Sequence, residues 1–286
     1  MSNNEPLHNY SNLKVIDVER SLFEQDFQKE ICNDPIFVPF NCIKVDTMEQ
    51  LYFLFKEIFN LEKEGTEFLY RGHANSDWLL ESTLERAVKN NNILLGRVEN
   101  QIFNSFKKNL RGRLIDQSIL NASYSTERNR EIWAIGRHYD LKTPLIDWSL
   151  SIYVALFMAH SEPRKAKDIS AYSAIFMVDK GVFEVGEMYV NPYFFTSQTD
   201  YYGRITAQKG FLSHYNIRQS IQKALEKEPN YALKIYIKNN LRNDILKYLK
   251  HIGIDYTTMY PDLQGVIKFV NNELEEMLIQ STQSSS

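Results

Sequence analysis

The chain is poor in cysteine: Cys32 and Cys42 are the only two in 286 residues. Two thiols cannot build a disulfide framework, and no Cys/His spacing suits a metal. A reducing compartment is the natural setting. Charge of one sign is also missing. The 33 basic residues face 36 acidic ones, giving a net charge of -3 and a pI near 6.1. The whole chain therefore lacks the basic field that drives non-specific nucleic-acid binding, which leaves only a local basic face open. Long hydrophobic runs are absent too: the longest, Ile152 to Ala159, is far too short to span a bilayer. The polar start, Met1 to Pro6, has no signal-peptide character. The expectation is a soluble cytoplasmic protein that does not engage membranes. Neither the dinucleotide glycine fingerprint nor the phosphate-loop motif occurs. Asp147, Asp179 and Asp200 are scattered rather than clustered, which argues against a metal-dependent nuclease and predicts no metal.

What the chain does have is apolar content, 43% hydrophobic and 13% aromatic, enough for one large domain or two modest ones. No linker, low-complexity block or repeat divides it. The simplest account is one compact body over residues 41–275, with an N-terminal arm over 1–40 packed on it and a disordered tail over 276–286.

Asp46-Thr-Met-Glu49 has the spacing of an N-cap with a capping-box Glu. Leu51, Phe53, Leu54, Ile58 and Phe59 then make an apolar helical stripe. Phe68-Leu-Tyr70 predicts a buried strand turning at Gly72. Helices are predicted over 97–114, 127–139, 151–160, 239–251 and 261–278, the last with Pro261 in its first turn. Tyr172 to Val178 and Tyr231 to Ile237 predict strands. The fold class is α+β, a single mixed domain with several helices around a small mixed sheet.

The segment Arg137-His-Tyr-Asp-Leu-Lys-Thr-Pro-Leu-Ile-Asp-Trp-Ser149 leads straight into the apolar helix that ends at Ala159. Arg137, His138, Thr143 and Asp147 thus fall at a buried junction. Burying charge without a partner is costly, so such a cluster marks either a site or an internal ion-pair network.

These residues carry a family resemblance. Phe68-Leu-Tyr-Arg-Gly72 resembles the (Phe/Tyr)-Arg-Gly motif of the FRG domain, and Trp78-Leu79 with Arg86 resembles the stretch that follows it. Residues 137–159 resemble its central motif, and Arg204-Ile-Thr-Ala-Gln-Lys-Gly-Phe211 its third. Gly253-Ile254 and Tyr260-Pro-Asp-Leu-x-Gly265 resemble its end. The motifs keep the family's order over about residues 45–270. Three positions depart: Arg137 stands where Gln is usual, Asp140 where Gly is usual, and Pro144 where Arg is usual. The resemblance implies a bacterial or phage protein, sometimes near toxin or defence genes, with an antitoxin or regulator among its conceivable partners.

Each candidate has a functional and a structural reading. Arg71 can fork onto a phosphate or pair with Asp147. His138 can serve as a base or sit satisfied at a helix end. Asp147 beside Trp148 can orient a base, accept from a ribose hydroxyl, or anchor Arg71. Gly72 serves backbone geometry. Ser149 and Ser151 suit N-capping. In the third cluster, Gln208 can bond an amide or hydroxyl, and Tyr201, Tyr202 and Phe211 can stack on a ring or form core.

Two functions follow. The order of motifs is similar to that of ADP-ribosyltransferase folds. By that likeness Arg71 would hold the pyrophosphate of NAD, Thr143 and Asp147 would line the pocket, and Gln208 would lie near the ribose, with protein or RNA as acceptor. No late catalytic Glu stands beside Gln208, and Glu184 and Glu187 are substitutes without motif support. Catalysis would fall to Arg71, His138, Asp147 and Gln208. Ligand binding would fall to Tyr70, Gly72, Arg137, Thr143, Trp148, Arg204 and Tyr202. The alternative is a non-catalytic nucleotide- or protein-binding module, favoured by the absence of an evident nucleophile–base pair.

Overall fold

The computed structural model describes residues 13–29, 41–89, 95–114, 116–120, 126–162, 170–181, 193–200, 203–214, 221, 225 and 232–283. Among the described residues, eight strands form one mixed sheet: β1 (Gln28–Lys29), β2 (Asn41–Val45), β3 (Phe68–His73), β4 (Leu145–Ser149), β5 (Tyr172–Asp179), β6 (Tyr193–Phe195), β7 (Gly210–His214) and β8 (Ala232–Lys238). Their order is β1-β2-β8-β5-β3-β4-β7-β6. Only β2 and β8 run parallel; the other neighbours are antiparallel. The helices are α1 (Met48–Lys63), α2 (Thr83–Val88), α3 (Leu95–Asn109), α4 (Thr126–His138), α5 (Ile152–His160), α6 (Arg204–Ala207), α7 (Arg242–His251), α8 (Tyr256–Met259) and α9 (Leu263–Gln283). The mixed α+β expectation holds. No helix among the described residues is long and apolar enough to cross a membrane.

Strand alternation divides the core. Tyr70, Ile175, Met177 and Ile235 face α1, α5 and α7, while Leu69, Trp148, Phe176 and Val178 face the other side. Because both faces are covered, β5 is buried from Tyr172 to Val178 and reads as a continuous apolar run. The same burial explains α5, whose Val154, Ala155, Leu156 and Phe157 are all enclosed. The arm contributes as well: Leu13, Ile16 and Leu22 are buried, and Val15 bridges to Lys44.

Several boundaries differ from the sequence expectation. Thr47, not Asp46, is the N-cap of α1: its side chain accepts from the Gln50 N–H, and the Gln50 side chain reciprocates. The buried stripe is Leu51, Leu54, Phe55, Ile58 and Leu61. Phe59 lies 65% exposed, one position outside the core-facing arc. The strand at Phe68 runs through Gly72 to His73 instead of turning. Gly72 is needed for another reason. A Cβ there would lie 2.0 Å from the Ala155 carbonyl oxygen, so glycine lets α5 cross directly over β3. Helix α9 continues to Gln283, beyond residue 276 where the tail was expected. Ser149 and Ser151 do not cap α5 with their side chains. Ser149 instead accepts from the Ser151 N–H and donates to the Gln208 carbonyl, tying β4 to the start of β7.

Candidate functional site

The site forms where the sheet splits. Strands β3 and β4 pair only at Tyr70 and Ser149. Beyond that point they part, and the Asp147 carbonyl is met by a side chain instead of a strand: Arg71 donates to it from Nη1 at 2.6 Å. Arg71 is also fixed at its other end, where Nε donates to His73 Nε2 at 3.0 Å. Its Nη2 has no hydrogen-bond acceptor among the described residues. A cavity of about 530 Å³ opens beside the split, walled by β3, β4, the end of α4, α5, α6 and the start of α9.

Helix α4 delivers Arg137 and His138 to this cavity. Arg137 holds Asp147 side-on: Nε lies 3.1 Å from both carboxylate oxygens and Nη2 lies 2.6 Å from Oδ2. This is the main ion pair of the site, and Arg71 is the lesser one at 3.7 Å. The expected Arg71–Asp147 link therefore exists mostly through the backbone carbonyl. Burial alone would raise the Asp147 carboxyl, but Arg137, with Arg71 behind it, holds it at about 2. Asp147 lies deep in the fold, yet 46% of its side-chain surface opens to the cavity. Burial lowers Arg71 to about 10, Asp147 pulls it back up, and Arg137 and Arg86 push it down, so it stays charged at neutral pH. Burial also holds His138 below its ordinary value, against the opposing pull of Asp147 and Asp200. Its Nε2 is enclosed without a hydrogen-bond partner. Burial thus favours the neutral imidazole of His138.

Among the described residues, five cationic side chains line the cavity (Arg71, Arg86, Arg137, Arg204 and Lys268), against three carboxylates, Asp140, Asp147 and Glu162. The difference is two positive charges on the wall. Arg204 is committed to Asp262, bidentate at 2.6 and 3.1 Å, and Lys268 to Glu162 at 2.8 Å. Arg86 is exposed and pairs with no carboxylate among the described residues. Arg71 and Arg137 therefore share the Asp147 carboxylate, with Asp140 also acting on Arg137.

Tyr70, Arg71, Gly72, Arg137, His138, Asp147, Trp148, Arg204 and Gln208 all line this one cavity, so the three sequence motifs converge. Their roles differ. The Tyr70 hydroxyl turns to Glu62 on α1, and burial raises it far above its usual range. Trp148 is buried and donates to Ser213 Oγ. Gln208 spends its amide on the Met259 carbonyl at 2.9 Å. Thr143 is wholly buried and does not line the cavity; its backbone bonds Thr83 and the Leu84 N–H, docking α2. Tyr201, Tyr202, Glu184 and Glu187 lie outside the described residues. Position 144 does not line the cavity either, whereas Arg137 does. Asp140 has φ +62°, in the left-handed region that Asp tolerates only at some cost.

Sequence reasoning assigned no role to His73, Trp78, Arg86, Glu162, Tyr260 and Lys268, all on the wall. For Trp78 and Arg86 the signal was their place directly after the Tyr-Arg-Gly motif. For Tyr260 it was its place in the Tyr260–Gly265 motif, while Glu162 and Lys268 reach the cavity only through the tertiary fold.

Residues 66–168 match the FRG domain family model. The chain carries an FRG domain. The match begins just before β3, includes α2 to α5, and so contains the split strands and the Arg71–Arg137–Asp147 cluster. Neither the curated proteins nor the solved structures give a match to the chain.

Proposed function

We propose that the cavity binds a nucleotide and that the protein acts on NAD or a related nucleotide, by ADP-ribosyl transfer or by NAD hydrolysis, in the effector setting that FRG membership suggests. The observation that carries this reading is the surplus of guanidinium groups around Asp147 in a cavity of ligand size. Arg71 and Arg86 would meet a pyrophosphate. Arg71 is already held by His73 and the Asp147 carbonyl, so little side-chain freedom is lost on binding. Trp78, half-exposed, and Phe211 offer ring faces to a base.

With NAD as substrate, the chemistry assigned to the remaining residues follows from charge. A carboxylate at about 2 is a poor proton acceptor near neutrality but a permanent negative charge. Asp147 would stabilise the positive charge that builds on the ribose as the glycosidic bond breaks and nicotinamide leaves with the bonding pair. The oxygen of water or of an acceptor hydroxyl forms the new bond to the ribose carbon. The neutral His138 would take the proton released from that oxygen. Protein or RNA would be the acceptor in transfer, and water in hydrolysis.

The test is to incubate purified protein with NAD, total cellular RNA and protein, following NAD loss and labelled adducts by mass spectrometry. Consumption that disappears in a folded Arg71→Ala variant is the expected result. No consumption by the wild type would refute catalysis. A second reading, a nucleotide-binding module without turnover, draws on Gln208, whose amide is spent on Met259, and on Asp147, which two arginines already engage. Binding of ADP without chemistry would favour it.

A further inference from the structure

Helix α9 carries an apolar face that its docking on the body does not use. Its inner side docks on the body through its first ten residues. Phe269 packs into the main core, Lys268 bonds Glu162, and Asn272 bonds the Tyr256 hydroxyl. Gly265 lets the first turn press against Tyr260, where a Cβ would come within 2.2 Å. The outer side presents Leu263, Val266, Ile267, Val270, Leu274, Met277 and Leu278, each between 47% and 73% exposed. Leu263, Ile267, Val270, Leu274 and Met277 recur at alternating spacings of four and three, which is the heptad repeat of a coiled-coil seam. On an ordinary surface helix a stripe of this spacing faces the core, whereas here it faces outward.

From this stripe we infer that α9 is a self-association surface, packing in parallel against the same stripe of a second copy across a two-fold axis. The seven side chains expose roughly 700 Å², more than the roughly 300–600 Å² of the largest apolar patch on a typical monomer. Paired across a two-fold, the patch buries at most about 1,400 Å², a ceiling that reaches the range of about 1,200–2,000 Å² for stable interfaces. The flanking positions are compatible with a self-pair. In parallel register Val266 of one copy meets Asn271 of the other, and Glu273 meets Leu278, so no like charges oppose each other. The helix is pre-formed and anchored by its inner face, so little ordering entropy opposes association. The inference stands apart from the nucleotide reading, although Gly265 and Lys268 at the root of α9 also line the cavity.

Sedimentation velocity on the full chain over a range of micromolar concentrations tests it. The expected result is a species of twice 33.6 kDa that dissociates on dilution. Leu274→Glu and Ile267→Glu, both at exposed sites, should each shift the dissociation constant at least a hundredfold, leaving monomer with an unchanged circular dichroism spectrum and melting point. A wild type that stays monomeric throughout overturns the inference, whether another segment of the chain or a different partner covers the stripe. A dimer that survives both substitutions overturns it too, since association would then use another surface.

Discussion

Replacing Asp147 with Asn keeps the side chain's shape and removes the charge that Arg137 and Arg71 share. A carboxyl held at about 2 instead of 3.8 favours the folded state at neutral pH by about 2.4 kcal/mol before screening. Nearly half of the side chain opens to the cavity, so screening reduces this to about 1–1.5 kcal/mol. For a domain of this size that corresponds to a fall in melting temperature of roughly 3–5 °C at pH 7. The sign with pH is fixed by the depressed value. The contribution is complete above the unfolded-state value near 4 and vanishes as pH falls through about 2. The melting difference between wild type and Asp147→Asn should therefore narrow steadily from pH 5 to pH 2. Ligand binding should move the other way, because losing a carboxylate enlarges the cationic surplus. Pyrophosphate should bind the variant about fivefold more tightly, the about 1 kcal/mol expected of one nearby charge, while NAD turnover is lost. Scanning calorimetry across pH and titration with pyrophosphate read these outcomes. An unchanged melting point at pH 7, or a difference that does not shrink in acid, would refute the electrostatic account of Asp147.

Three other substitutions follow from the geometry. Gly72→Ala forces a Cβ against the Ala155 carbonyl and should destabilise the fold by about 2–4 kcal/mol in chemical denaturation. Asp140→Gly relieves a left-handed backbone at φ +62° and should raise stability by about 0.5–1 kcal/mol, seen as a higher melting temperature. Arg204→Lys breaks the bidentate bond to Asp262; it should loosen the wall between α6 and α9 and raise KM for NAD more than it lowers kcat.

The regular elements with strong local patterns were readable from sequence. Strands β5 and β8 and helices α1, α3, α4 and α5 lie within a few residues of their expected places, because apolar periodicity and helix signals act locally. Strands β2, β6 and β7 were not anticipated. They are short, and sheet pairing decides their state more than their own side chains do: β6 is three residues paired to β7. The site was partly legible. Arg71, Arg137, His138 and Asp147 were singled out as a cluster, and they do meet. Their partners were harder to foresee. The strong pair is Arg137 with Asp147, because α4 ends at His138 and the chain turns back through Asp140 into β4. Arg204 with Asp262, 58 residues apart, leaves no local trace. Arg86 and Trp78 were visible as motif residues, yet only the cavity wall shows that both face the same space as Arg71.

The central claim is that the cationic surplus at the split between β3 and β4 receives the phosphates of a nucleotide. Isothermal titration of ADP into the wild type and into Arg86→Ala tests it most directly, since Arg86 is exposed and its loss should leave the fold intact. One-to-one binding by the wild type, at least tenfold weaker in Arg86→Ala and weaker still at high salt, is the predicted result. Absence of binding, or equal affinity in both proteins, would contradict the account.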